Sequence, residues 1–286
     1  MDIAIHLGAH CTDEDLILRT LGANADLLRN RSVFIPPGGR ARPAIRKALQ
    51  GSGDLVAGGD ALLSELLGER TADRMVLSYE GFLGVYAKVL SGTSMYIEAG
   101  QRAQMLRDLF PGHRVEFLMA IRNPATFVPA LFEASSISDF GDFLSGHDLT
   151  QITWAEPVEA IREACPEVPL TLWCNEDLPL IWPEVLRTVS GIDEPLKGED
   201  AILRQIMSED GLRRLRAYLN DNPPDTAANW RKVVTAYLGK YAEDARIEPD
   251  IDLPGWSDET IEGLTDIYEQ DVVRLKARDD IIFIAP

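Results

Sequence analysis

Positive charge is the scarcest property of this chain. Its 286 residues carry 28 lysines and arginines against 46 aspartates and glutamates, a formal net charge of −18 with histidine neutral. That balance lacks the basic footprint needed for nonspecific binding to nucleic acid or to an anionic membrane, so neither partner is expected. It also makes a polyanionic cofactor costly to approach without a local basic pocket. Cysteine is scarce too. Cys11, Cys165 and Cys174 are odd in number and widely spaced, which argues against a disulfide framework and for a reducing compartment. No apolar run approaches the length that spans a bilayer, and no secretory pattern of a basic segment and apolar core is visible. A cytoplasmic protein is the expectation. Internal repeats, low-complexity tracts, a serine-hydrolase elbow, a Rossmann glycine fingerprint and a kinase signature are all missing.

What the chain does have is enough apolar material, 45% of residues, for a sizeable core. Short, partly β-branched runs occur at Ile3–Leu7, Val33–Ile35, Met75–Ser78, Val115–Ile121, Leu170–Cys174 and Ile281–Ile284. Helical spacing fills the intervals at Arg42–Leu49, Asp60–Leu67, Ala99–Phe110 and Pro157–Ala164. Such alternation predicts an α/β fold, a parallel sheet with helices on its faces. From about residue 184 to 275 the pattern turns nearly all helical: Pro183–Val189, Ala201–Leu219, Ala227–Ala245 and Asp258–Lys276. Breaks at Gly191–Gly198, Asn220–Asp225 and Glu248–Gly255 separate these helices. A single α/β domain over 1–286 with a helical C-terminal extension is the simplest organisation.

The densest chemistry lies at the start, His6-Leu-Gly-Ala-His-Cys-Thr-Asp-Glu-Asp15. A strand leads into Gly8, a small-residue loop follows, and Leu16, Ile17, Leu18 and Leu21 supply the apolar face of a helix. Strand, loop and helix N-terminus together are the usual architecture for cradling an anion. Here, however, the loop offers Cys11, Asp13, Glu14 and Asp15 in place of lysine, glycines and hydroxyls. A carboxylate about 4 Å from a bound phosphate would cost on the order of 4 kcal/mol at an effective dielectric of about 20. The same residues also suit a helix start, with Thr12 and Asp15 as a capping-box-like pair and Asp13 and Glu14 in the first turn.

His6, Gly8, His10 and Thr12 match the HxGxxKTGTT pattern of the phosphosulfate-binding loop in bacterial sulfotransferases, and the chain resembles that family. Cys11 stands at the lysine position, Asp13 at a glycine position, and Glu14 and Asp15 at the two hydroxyl positions. Leu77-Ser-Tyr-Glu-Gly-Phe82 resembles the family's serine–glutamate segment. Val115–Ile121 with Arg122-Asn-Pro124 resembles its strand and Arg-x-Pro turn. Trp173-Cys-Asn-Glu-Asp-Leu178 resembles a later acidic turn, and Tyr268-Glu-Gln-Asp271 with Ile281–Pro286 resembles its closing helix and strand.

The resemblance implies a three-layer P-loop-type fold and descent from enzymes that use 3′-phosphoadenosine 5′-phosphosulfate. It implies Gly8, Cys11, Thr12 and Arg122 as cofactor-binding positions, with Arg122 on the 3′-phosphate. The family serine eight residues after the arginine is Ala130. Glu80 and His10 are the candidate bases, and the implied acceptor is a small-molecule or glycan hydroxyl. The substitutions at positions 11 and 130 lead to the expectation that donor binding is weakened or lost. A non-enzymatic binding protein that keeps the cleft is the alternative.

Three further patterns stay open. His6, His10, Cys11 and Asp13 have metal-ligand chemistry, without regular ligand spacing. Cys11 sits at a helix N-terminus, which favours a thiolate, among carboxylates, which oppose one. Arg40, Arg42, Arg46 and Lys47 form a basic cluster suited either to an anion or to a solvated helix face. The five tryptophans fall mostly on apolar stripes and are expected in the core.

Overall fold

The computed structural model describes residues 1–50, 55–91, 94–247 and 251–286. Eight strands are present among them: β1 (Asp2–Gly8), β2 (Val33–Phe34), β3 (Arg74–Ser78), β4 (Leu90–Ser91), β5 (Ser94–Met95), β6 (Arg114–Ile121), β7 (Leu170–Cys174) and β8 (Ile282–Ile284). The short antiparallel pair β4–β5 stands apart. The other six form one parallel sheet in the order β2-β3-β1-β6-β7-β8. All six are the runs expected from the sequence, because a strand buried on both faces must be apolar almost throughout.

Successive side chains on β1 point to opposite faces and thereby build two cores. Ile3, Ile5 and Leu7 join Met75, Leu77, Phe117, Met119 and Ile121 on one face, under helices Gly38–Gln50, Ala99–Asp108, Pro124–Ala134 and Ala155–Ala164. Ala4 joins Val76, Leu118, Ala120 and Trp173 on the other, under helices Leu16–Gly22 and Leu178–Ser190. The layers are therefore helix, sheet, helix.

The helical stretch after residue 178 does not stay together. Leu178–Ser190 covers the second face of the sheet, whereas Asp258–Lys276 packs Leu264, Tyr268, Val272 and Leu275 into the first. Only the middle builds a small core of its own, from Leu203, Met207, Leu212, Leu215 and Val234. Two expected helices are also broken. Ala201–Leu219 divides into Ala201–Ile206 and Glu209–Asp221, where Met207 pairs with Ala242 in an isolated bridge and the Ser208 hydroxyl caps the second helix. That same bridge ends Ala227–Tyr241 short of Ala245. The expected break at 248–255 lies partly outside the described residues.

Strand β1 is flanked by β3, which follows it by two crossovers, and by β6, reached by passing over β1. The direction of winding reverses there, and the carboxyl ends of β1, β3, β6 and β7 open onto one crevice. In open α/β sheets this is where ligands bind. Among the described residues no helix is long and apolar enough to cross a membrane.

Candidate functional site

Each wall of the crevice is the turn that follows a strand. At the end of β1, Gly8 takes φ +102°, and a Cβ there would stand 2.8 Å from the Glu80 Cα, so only glycine lets the chain after β1 and the turn after β3 meet this closely. Cys11, Glu14 and Asp15 then adopt left-handed backbone, with φ of 55°, 48° and 64°. Helix Leu16–Gly22 starts later than Thr12 requires for a cap. Thr12 instead donates its hydroxyl to the Ala9 carbonyl at 2.6 Å, and Asp15 makes no side-chain cap bond. The expected pairing of Thr12 with Asp15 is therefore replaced by a different closure, in which the Asp13 carboxylate accepts the Ile17 N–H at 2.8 Å. The expected first-turn places of Asp13 and Glu14 change with it, since both precede the first turn.

Glu80 reaches across from the turn after β3. Its Oε2 accepts the Cys11 backbone N–H at 3.1 Å, and its Oε1 accepts the Tyr86 hydroxyl. From the turn after β6, Arg122 donates Nη1 to the Cys11 carbonyl at 2.6 Å and Nε to Thr126 Oγ1 at 3.0 Å. Cys11 is thus held at its N–H by a carboxylate and at its carbonyl by a guanidinium. Burial pushes its thiol up to about 12, and the Glu80, Glu14 and Glu133 charges add to that while Arg122 opposes it. A thiol so disposed is a poor nucleophile at neutral pH. Arg122 itself is lowered from its ordinary value by desolvation.

Behind these groups lies a supporting layer. The Asn123 side chain caps helix Pro124–Ala134 by accepting from Ala125 N–H at 3.0 Å, as its place before proline predicts. The Asn123 N–H donates to Glu176 after β7 at 2.8 Å, and the Tyr268 hydroxyl donates to the same carboxylate at 3.0 Å. The Trp154 indole donates to the Arg122 carbonyl at 2.7 Å, and Asp271 accepts the Trp154 N–H at 2.6 Å and the Ala155 N–H at 3.1 Å. Glu176, Tyr268 and Asp271 thereby tie the later segments to the turn that carries Arg122.

The open part of the crevice is a cleft of about 730 Å³. Cys11, Glu80, Tyr86 and Arg122 line it together with Glu14, and Ala130 lies on its wall beside Thr126. Thr126, Pro129, Ala130 and Glu133 face it at the three- and four-residue spacing of one helix side. That spacing, counted forward from Arg122, is the sequence signal by which Glu133 is found. Tyr86 and Asp252 carry no comparable signal.

His10 is elsewhere. It is 1% exposed and off the cleft wall, with Nδ1 on the Tyr96 hydroxyl at 2.7 Å and its ring against Tyr86 and Tyr96. Burial brings it down to about 4, although a hydrogen bond with the Gly84 backbone opposes that. His6 faces the second core, stacked on Trp173 with Nδ1 at 2.8 Å from Ser78 Oγ, and burial likewise brings it down to about 4. The open metal pattern of the loop is thereby dispersed, and no group of three or more potential ligands converges among the described residues. The basic cluster also turns away from an anion: Arg42 pairs with Asp15 and stacks on Tyr79, and Arg40 donates to the Glu65 carbonyl.

No protein-family model matches the sequence, and no curated protein matches it.

The residues present do not fit a phosphosulfate donor. Where such a group would need N–H donors and a cation, the Glu80 carboxylate already takes the Cys11 N–H, and the one guanidinium of the cleft, Arg122, spends Nη1 and Nε on a carbonyl and a hydroxyl. Four carboxylates, Glu14, Glu80, Glu133 and Asp252, share the cleft with the single guanidinium.

Proposed function

We propose that this chain is a divergent sulfotransferase-like protein whose cleft no longer holds 3′-phosphoadenosine 5′-phosphosulfate, and that it acts by binding rather than by sulfuryl transfer. One observation carries the reading: Glu80 Oε2 accepts the Cys11 N–H at 3.1 Å. The loop's anion-binding capacity is spent on a carboxylate of the protein itself. The strand order, the loop position after β1 and the arginine after β6 are compatible with the ancestry that the motifs suggest. Cys11 supplies no charge where the family lysine stabilises the departing group, a contribution commonly worth about 3–4 kcal/mol in such barriers.

Thermal unfolding in millimolar 3′,5′-diphosphoadenosine tests this, because any ligand of the native state raises its melting temperature by mass action. No shift is expected. A saturable rise of several degrees overturns the proposal. A variant carrying Cys11→Lys, Asp13→Gly, Glu14→Thr and Glu80→Gln is expected to acquire the shift.

A further inference from the structure

Residues 11–15 close one side of the cleft and are held there by side chains rather than by regular structure. Cys11, Glu14 and Asp15 adopt left-handed backbone, which non-glycine residues keep only where their surroundings impose it. The segment is fixed at its start, where His10 is buried and bonded to Tyr96, and at its end, where helix Leu16–Gly22 begins. Between those points Glu80 holds the Cys11 N–H, Arg122 holds the Cys11 carbonyl, and Arg42 holds Asp15.

Asp13 lies in the middle of this segment, with its carboxylate on the Ile17 N–H at 2.8 Å. Asp15 and Arg19 act on it from its own segment, and Glu80 from the turn after β3. Arg42 is taken by Asp15 and Arg122 by Cys11 and Thr126, so neither neutralises it, and Arg19 is exposed to water that screens its charge. Two of the three ties that hold the segment therefore run through carboxylates, Glu80 and Asp15, that an ionised Asp13 repels. We propose that residues 11–15 form a proton-controlled gate on the cleft: with Asp13 protonated the segment stays closed against Glu80, and with Asp13 ionised it opens between His10 and Leu16 and releases the Cys11 N–H.

Burial raises the Asp13 carboxyl to about 6, and Asp15 and Glu80 add to this while the Ile17 N–H and Arg19 oppose it. A carboxyl raised only in the closed form favours closure fully below 3.8, and that preference is lost as pH rises through 6. Burial brings His6 and His10 down to about 4, below the range in which the gate works. Cys11 and Glu14 line the cleft, so opening widens it and frees a Glu80 oxygen for an incoming ligand. The gate acts whichever ligand the cleft takes, and it stands whether or not the sulfate donor has been lost.

Native-state amide hydrogen exchange of the full chain, parent beside Asp13→Asn, tests the gate, because the intrinsic rate of the Cys11 amide cancels in their ratio. At pH 7.5 that amide is expected to exchange between about tenfold and about a hundredfold faster in the parent, the upper value applying where the opened carboxyl regains 3.8. Near pH 4 the two proteins converge. Low urea leaves this exchange unchanged, whereas amides of β1, exposed only by global unfolding, speed up with it. Arg19→Gln, which removes an opposing cation, quickens the exchange about twofold at pH 7.5. A parent-to-variant ratio below about tenfold at pH 7.5 overturns the proposal. So does a Cys11 amide that follows β1 in urea, since the opening is then that of the whole fold.

Discussion

The two ends of the central sheet handle charge in opposite ways. At the amino ends of the strands, acidic and basic groups meet in pairs: Arg114 holds Asp2 at 2.8 Å through Nε, and Arg107 holds Glu167 at 2.7 Å. Arg74, besides pairing with Glu116, donates to the carbonyls of Thr188 and Val189 at 2.9 and 3.1 Å, closing the end of a helix. At the carboxyl ends Arg42 pairs with Asp15, but in the cleft itself Arg122 donates to the Cys11 carbonyl and to Thr126, and Glu14, Glu80, Glu133 and Asp252 line the space without an ion pair among the described residues. Paired charges explain themselves structurally. Like charges without partners repel one another, at a cost to stability that water reduces where, as at Glu14, Glu133 and Asp252, the side chains are exposed.

Substitutions at the two ends should therefore behave differently. Arg74→Met is expected to lose about 2–4 kcal/mol in urea unfolding, since it strands Glu116 and two helix-end carbonyls. A loss below about 1 kcal/mol would erase the contrast.

The next largest effect concerns Asp13. Burial holds its carboxyl up at about 6 in the folded chain, against 3.8 ordinarily, and the Ile17 N–H offsets this only in part. A raised carboxyl contributes stability that is full below pH 3.8 and is lost as pH rises through 6. Asparagine keeps an acceptor for Ile17 and never ionises. Asp13→Asn should therefore exceed the parent by about 2 kcal/mol at pH 7.5, with the gain vanishing near pH 4. Denaturation curves at the two pH values check the sign.

Gly8→Ala should cost more than about 1 kcal/mol, because φ is +102° and the methyl meets the Glu80 backbone. Smallest of all, Glu133→Gln should change stability by less than about 0.5 kcal/mol, and in the stabilising direction at low salt. A large loss there would show that the cleft carboxylates are structural after all.

The sheet was more legible than the site. The four inner strands announce themselves because they are largely buried on both faces and must be apolar along most of their length, and the edge strands β2 and β8 are apolar runs as well. The antiparallel pair β4–β5 is too short to leave such a pattern. Trp154, Trp173 and Trp182, expected in the core, are each at most 2% exposed. Within the loop after β1, local propensity misleads. Thr12 and Asp15 suit a capping box in isolation, yet the close approach of the turn after β3 takes the Cys11 N–H for Glu80 and sends Arg42 to Asp15. Contacts between turns 69 residues apart leave no periodic trace in either segment. His10 shows the same limit: its spacing in the loop says nothing of Tyr96, which claims it 86 residues later.

The bond from Asp271 to Trp154 has a consequence for synthesis. Arg122 is anchored by Trp154, and Trp154 by a residue about 150 positions downstream of Arg122. At roughly 5–20 residues per second, a growing chain carries its arginine turn for on the order of ten seconds or more before the brace arrives. During that interval the sheet can already pair β1, β3 and β6, while the cleft still lacks its rear support. The cleft is therefore among the last parts of this molecule to become itself.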